Sequence, residues 1–481
     1  MRSNIGMAMT CIVNTTAVTI QTAKVYGHNA SEGQSIPLEC QHEGVDEQAG
    51  VIVNDYGGTI VWSNFIQTSL VMSTFFGSLV TILPAGYFAD RTSAKNLYLG
   101  SIINYSLCTL LFPTLVFYTS PWMVMASRVL MGLGEGFIIP AANIIITRWV
   151  PNQEKSTAAS IFTLGNQFAG GLGVPIITAF CGSSMKWPGV FYFCGFIGFL
   201  WCILWATTVS NAPEKAKVMM KHERIYLQNH VNTNYKGKTK KNQNIPWIKI
   251  FTSLPIIACF ISIFGVNMVV VLLQFYQPQF MKEVLYLRLS DNGLYSAAPF
   301  LVQFVGKLTW SISIDYMKTK KMLSNTAACK ISQTFSTFTM SIFLILITHF
   351  ADCTKPLIVF IMYCIIGLGF STAISGFYTS LLLLAPAYVG IISSIMQFIG
   401  FCSMLVPPLL VQIFRVYGTL AEWQVIYYIV AVYTLFSGVF FLIFGTGEVL
   451  PWGFGEHSDE SEEEKAEEEE SLQKIDINLE Q

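Results

Sequence analysis

The chain has 481 residues, 53% of them hydrophobic and only 12% charged, and its mean hydropathy is +0.52. So few charges exclude a soluble domain of this length. The formal net charge of −1 hides an asymmetry, because Glu456 to Glu470 holds ten acids and one lysine and the rest of the chain is basic.

Charge disappears for about 20 residues at a time, the length that crosses a bilayer as a helix. In chain order the predicted spans are 1–21, 61–89, 97–118, 122–147, 156–181, 187–209, 250–280, 292–314, 328–350, 356–383, 387–414 and 423–446. No charge occurs between Pro356 and Phe414, and the Leu-Ala-Pro-Ala break at 384–387 divides that stretch into two helices. The expected fold is an all-α membrane protein of about 12 transmembrane helices in two six-helix bundles. Its expected parts are a first bundle at 1–212 with an outside loop at 22–60, a basic cytoplasmic linker at 213–249, a second bundle at 250–453, and a disordered acidic tail at 454–481.

Lysine and arginine collect in alternate loops. Arg91 and Lys95, Arg148 and Lys155, the linker, and Lys318 to Lys321 mark the cytoplasmic side, so both termini are expected there. The outside loop carries the sequon Asn29-Ala-Ser, a glycosylation acceptor. A second sequon, at Asn14, lies close to the membrane end. The eleven cysteines lack CxxC pairs, so no metal site and no obligatory disulfide is read. Cys40 and Cys353 fall in loops on the same outer side, and the sequence neither requires nor excludes a bridge between them. No cleavable signal peptide is evident.

Charges within apolar spans are costly and mark candidate sites. Arg2, Arg128 and Glu135 are such charges. Seven residues put Arg128 and Glu135 two turns apart on one helix face. A guanidinium can hold a carboxylate or phosphate by a bidentate fork. A carboxylate in a dry cavity can exchange a proton or hold sodium. The bland alternatives are an internal structural ion pair and an arginine reaching to the interface. Glu135, flanked by Gly132, Gly134 and Gly136, reads as the more functional of the two. Asp90 with Gly86 and Arg91, and Asp315 in the second half, lie at cytoplasmic helix ends. They are candidates for latching an inner gate, or are merely solvated loop charges. Lys307 reads as a snorkelling side chain. Pro407-Pro408 marks a kink. No HExxH, no GxSxG and no paired catalytic carboxylates occur, so no enzyme is expected.

The tract Gly86-Tyr-Phe-Ala-Asp90-Arg91 resembles the cytoplasmic loop motif of the major facilitator superfamily. Further tracts resemble its anion:cation symporter family, which includes sialin, sodium-dependent phosphate cotransporters and vesicular glutamate transporters. They are Arg128 to Gly136 with Pro140-Ala141, Trp187 to Tyr192, Gln277 to Glu283, Ala385 to Gly390, Glu422-Trp-Gln, and Gly447 to Trp452. Arg2-Ser-Asn4-Ile-Gly6 resembles the family's first-helix arginine tract. The resemblance implies that Arg2 and Arg128 line an anion path and that Glu135 couples it to sodium or protons. Two departures bear on substrate. Asn143 stands where many relatives have a histidine, and Val266, followed by Asn267, stands where the glutamate transporters have an arginine. Asn143 and Asn267 are therefore candidate substrate contacts, and phosphate or a monoanionic organic acid is favoured over glutamate. The implied protein is a monomeric symporter of a small anionic solute, embedded in a plasma, lysosomal or vesicular membrane, with no cofactor beyond the coupling ion and no nucleic-acid partner. The alternative function is a transport-inactive sensor or scaffold. The resemblance also implies more residues ahead of the first-helix arginine than stand here, so a first helix truncated at Met1 is expected, with further apolar residues and a short polar segment encoded upstream.

Overall fold

A computed structural model describes residues 1–26, 40, 45–48, 51–150, 155–211, 219–220, 227 and 245–453. Asn29, most of the linker and the acidic tail lie outside them. Among the described residues, eleven helices are long and apolar enough to cross a bilayer. They follow a first element that is split in two.

That first element is a correction to the single expected span. It comprises α1 (Asn4–Ile12) and α2 (Thr15–Tyr26). Asn14 breaks it, because its Oδ1 accepts from the Ala17 N–H at 2.7 Å and so starts a new helix. The carbonyls left open at the end of α1 find distant partners, as helix ends buried in protein must. Thr59 and Ile60 both donate to the Ile12 carbonyl at 3.0 Å. Lys282 Nζ donates to the Thr10 carbonyl at 2.8 Å.

The loop that follows holds a two-stranded antiparallel ribbon, Val45–Gln48 with Val51–Asn54. The remaining spans of the first bundle are α3 (Asn64–Arg91), α4 (Ala94–Tyr118), α5 (Pro121–Trp149), α6 (Lys155–Cys181) and α7 (Lys186–Thr208). A short helix, Trp247–Thr252, leads into the second bundle. That bundle comprises α8 (Leu254–Glu283), α9 (Leu289–Thr319), α10 (Asn325–Phe350), α11 (Pro356–Leu384), α12 (Val389–Phe414) and α13 (Leu420–Phe444). A π-helical turn widens α8 at Leu272–Tyr276, and another widens α11 at Ile374–Tyr378. Such turns often mark functional sites in helices. Against the first of them packs Gly6 of α1, where a Cβ would lie 2.5 Å from the Gln274 carbonyl. At Leu405, just before Pro407-Pro408, α12 breaks, as the paired prolines anticipate.

Small residues set how closely the helices approach. A Cβ on Gly132 of α5 would lie 2.0 Å from the Thr74 carbonyl of α3, and one on Gly77 of α3 would lie 2.2 Å from the Val129 carbonyl. The two backbones therefore touch. Gly132→Ala is expected to force them apart and to cost about 1–3 kcal/mol. The check is the melting temperature of purified protein in detergent, which falls for Gly132→Ala and stays put for Gly100→Ala, whose Cβ meets nothing within 4 Å.

Two cysteine pairs are bridged. Cys40–Cys353, with Cα atoms 5.8 Å apart, ties the loop between α2 and α3 to the loop between α10 and α11. The second bridge, Cys11–Cys181 between α1 and α6, has Cα atoms 6.2 Å apart and is not foreseen from the sequence. Cys11 lies within the apolar run 1–21 and Cys181 ends the run 156–181, and in such a run a thiol reads as a small hydrophobe.

Candidate functional site

The glycines that let α3 and α5 touch also build the polar interior. Close approach at Gly132 and Gly136 brings Ser78 of α3 to Glu135 of α5, and Ser78 Oγ donates to Glu135 Oε2 at 3.1 Å. The other carboxylate oxygen takes an ion pair from Arg2 Nη1. The Arg2 guanidinium also lies 5.7 Å from the Phe75 ring centre. Both partners are mostly enclosed, with side chains 20% and 12% exposed. The reading of Arg128 and Glu135 as neighbours on one face is thereby refined. Two helical turns are too long a reach for an ion pair, and Glu135 is neutralised from α1 instead.

Arg128 is left with its charge uncompensated. It is 3% exposed. Its guanidinium lies over the Phe112 ring at 4.6 Å, and Phe112 stacks on Phe191 at 4.3 Å. Arg128 Nη1 points to the Met131 sulfur at 3.4 Å, a weak acceptor. Arg128 Nε and Nη2 have no hydrogen-bond partner. A buried cation with open donors is costly unless an acceptor arrives to fill them.

The other candidates stand apart. Asn143 is exposed on α5 and Asn267 half-buried on α8. Among the described residues, no hydrogen bond joins either to Arg2, Arg128 or Glu135. Val266 is 3% exposed and packed in the core of the second bundle, not on an open wall. Val266→Arg is therefore expected to bury a guanidinium without a partner and to reduce folded protein, rather than to change selectivity. Monodisperse yield in detergent checks this, with Val266→Ile as the tolerated control. The side chains of Gly86 and Asp90 lie outside the described residues. Arg91 is exposed at the end of α3. Asp315 is 73% exposed and pairs with Lys318 on its own helix at 3.1 Å. Asn14 spends its Oδ1 capping α2, while Thr16 Oγ1 of the same sequon donates to Asp55 at 3.3 Å.

A second polar cluster, at the end of the bundles bearing the loop to Ile60, escaped the sequence reading. Arg415 forms an ion pair with Glu283 and donates from Nε to its Oε2 at 2.9 Å. Trp423 Nε1 donates to the same Oε2 at 3.1 Å. The tracts 277–283 and 422–424, separate in sequence, thus converge on one carboxylate. Arg415 Nη1 reaches across to Asn64 Oδ1 of α3 at 2.8 Å, and Asn64 Nδ2 donates back to the Arg415 carbonyl at 2.6 Å. Lys282 completes the bridge, donating to the Thr10 carbonyl and to Thr15 Oγ1, each at 2.8 Å. Asn54 donates to the Lys282 and Leu287 carbonyls at 3.2 and 3.0 Å. Tyr56 donates to the Leu287 carbonyl at 2.6 Å, and burial pushes its hydroxyl pKa up, so it stays protonated as a donor. Thr10, Asn54, Asn64, Lys282, Glu283 and Arg415 of this cluster line a cavity of about 50 Å³. The two bundles are thus stitched together at this end. Farther along, polar side-chain links between the bundles among the described residues include Gln274 with Asn166 and Lys307 with Thr163.

The family model described as Major Facilitator Superfamily matches residues 6–408. An uncharacterized transporter of Caenorhabditis elegans, slc-17.3, is 39% identical over 97% of this chain and 88% of its own. Human sialin is 28% identical over 95% of this chain and 88% of its own. A putative inorganic phosphate cotransporter of Drosophila melanogaster is 28% identical over 94% of this chain and 83% of its own. Among solved structures, a D-xylose–proton symporter superposes with a TM-score of 0.61 at 11% identity, over 93% of this chain and 98% of its own, a likeness of fold alone. This multi-pass membrane chain belongs to the Major Facilitator Superfamily and, within it, to the anion:cation symporter family.

Proposed function

We propose that the chain is a secondary active transporter that moves a small anion, inorganic phosphate or an organic acid, together with sodium or protons. The observation that carries this is the open guanidinium of Arg128, buried in the bilayer region with two donor groups waiting for acceptors. Phosphate and carboxylate are the oxyanions that fit such a fork. The Arg2–Glu135 pair beside it on the same helix system supplies an acid whose partner is a cation that an anion competes for. A relative named as a putative inorganic phosphate cotransporter supports the same class.

In this reading the chain divides into a first bundle at 1–212, a basic linker at 213–249, a second bundle at 250–453 and an acidic tail at 454–481. Both termini are cytoplasmic, and Asn29 is the glycosylated residue of the outer loop. The stitched end at Glu283 and Arg415 then faces outward, which makes this the conformation closed to the outside. Substrate enters between the bundles from the other side and is carried by alternating access. The protein works as a monomer in a plasma, lysosomal or vesicular membrane. The test is an uptake screen in proteoliposomes with labelled phosphate, sialic acid, glutamate and urate, with sodium and pH varied separately. Saturable uptake of phosphate or an organic acid that follows one cation gradient is the expected result. No saturable uptake of any of the four sinks the proposal.

A further inference from the structure

The sequence reading took Lys307 for a side chain reaching out to the membrane surface. Its environment is different. Lys307 is 6% exposed and lies in the middle third of the 31-residue α9. A helix of that length runs about 46 Å, so its middle third sits near the centre of the bilayer. Gly306, the preceding residue, is fixed against α11, since a Cβ there would meet Ser371 Oγ at 2.7 Å. The backbone that carries Lys307 is thus held close to α11.

Among the described residues of the second bundle, the buried charged side chains are Lys282, Glu283 and Lys307. The first two belong to the stitched end. Lys282 there is well provided for, with the Thr10 carbonyl, Thr15 Oγ1 and the face of the Tyr56 ring at 4.7 Å. Among the described residues Lys307 donates to one partner, the neutral hydroxyl of Thr163 across the bundle interface at 2.7 Å. An ammonium offers three donors, and among the described residues no carboxylate forms an ion pair with this one. A lone hydroxyl does not balance a charge at that depth.

We infer that Lys307 is the second bundle's anion-binding cation and a specificity-determining residue for the transported anion. The inference rests on the transporter reading above. In the first bundle Arg2 is neutralised by Glu135 and Arg128 is not. In the second, Lys307 is not. Among the described side chains, each bundle thus presents one buried cation in the membrane interior without a carboxylate partner. An anion carrying two charges balances both. A small divalent oxyanion, such as hydrogenphosphate, is the substrate class this charge balance selects. The position left apolar at Val266 is then no deficit, because the cation comes from α9.

The experiment uses full-length protein in proteoliposomes and whichever of the four labelled anions the wild type takes up fastest. Lys307→Gln is expected to raise KM at least tenfold while leaving the turnover at saturation within about threefold. Lys307→Arg is expected to recover most of the affinity. Thr163→Val, which removes the tether and leaves the charge, is expected to keep KM at or below the wild-type value. If Lys307→Gln does not fold, Lys307→Met carries the same comparison. An unchanged KM in the neutral variant, or a Thr163→Val that reproduces its defect, overturns the inference and makes the lysine a strut between bundles. A wild type that takes up none of the four anions overturns the transporter reading instead, and this inference falls with it.

Discussion

Arg128→Ala is expected to abolish saturable anion uptake and at the same time to leave the protein as stable as wild type, or more so. The two expectations have one cause. The Arg128 guanidinium is 3% exposed, with Nε and Nη2 unpartnered, so the empty protein carries the cost of a buried charge that only a bound anion relieves. Removing it deletes that cost together with the binding. Two charge-assisted hydrogen bonds are worth about 1.5–3 kcal/mol each, a loss of roughly 100-fold or more in apparent affinity. Against this stand the contact with the Phe112 ring, worth about 1–2 kcal/mol, and the weak contact with the Met131 sulfur. Arg128→Lys keeps the charge and loses the fork, so it should rescue poorly. Uptake and melting temperature are measured on the same preparations. A variant with normal uptake, or one that fails because it melts early, would show the arginine to be structural.

Glu135→Gln should uncouple the anion from its driving cation while exchange of anion for anion survives. The amide keeps an oxygen for Arg2 and keeps the shape that α3 packs against through Ser78. What it loses is the capacity to take a proton or hold a cation. Gradient-driven uptake is therefore expected to fall to the level seen without a gradient. Exchange across equilibrated membranes should stay within a few-fold of wild type, less the cost of leaving Arg2 charged and unbalanced. The two assays are run in parallel. Gradient dependence that persists in the variant moves the coupling role to another residue.

Most of the fold is legible in the sequence because the bilayer imposes it. A span must shed charge for about 20 residues whatever else it does, so α3 to α13 can be marked from charge alone. The first element resists that treatment. Asn14 is a helix-starting residue in plain view, yet the break at Val13 is supported by Lys282 and the loop at Thr59 and Ile60. No local pattern announces partners so distant. The interior charges show the same division. Depth in an apolar run singles out Arg2, Arg128 and Glu135, and the glycines around Glu135 foretell a close helix. Which arginine pairs with Glu135 depends on where α1 crosses α5, and spacing along α5 cannot say. Lys307 was misread because position within a span does not tell a protein-facing side from a lipid-facing one. The Glu283–Arg415–Trp423 cluster went unseen because each member sits at a helix end, where charge is ordinary. The resemblance had already singled out two of the tracts that meet there. They join the two bundles at one end, through Arg415, Glu283 and Asn64.

The transport claim is tested most directly by counterflow. Purified protein is reconstituted into liposomes preloaded with unlabelled phosphate or organic acid, and labelled anion is added outside at tracer level with no cation gradient. Alternating access predicts that the label accumulates transiently above its equilibrium level, because outgoing unlabelled anion occupies the inner site and slows the label's return. The overshoot should saturate with the internal load and be absent in Arg128→Ala. Label that only equilibrates, at a rate indifferent to the internal anion, would indicate a channel, and label that never enters would indicate a protein that does not transport these anions.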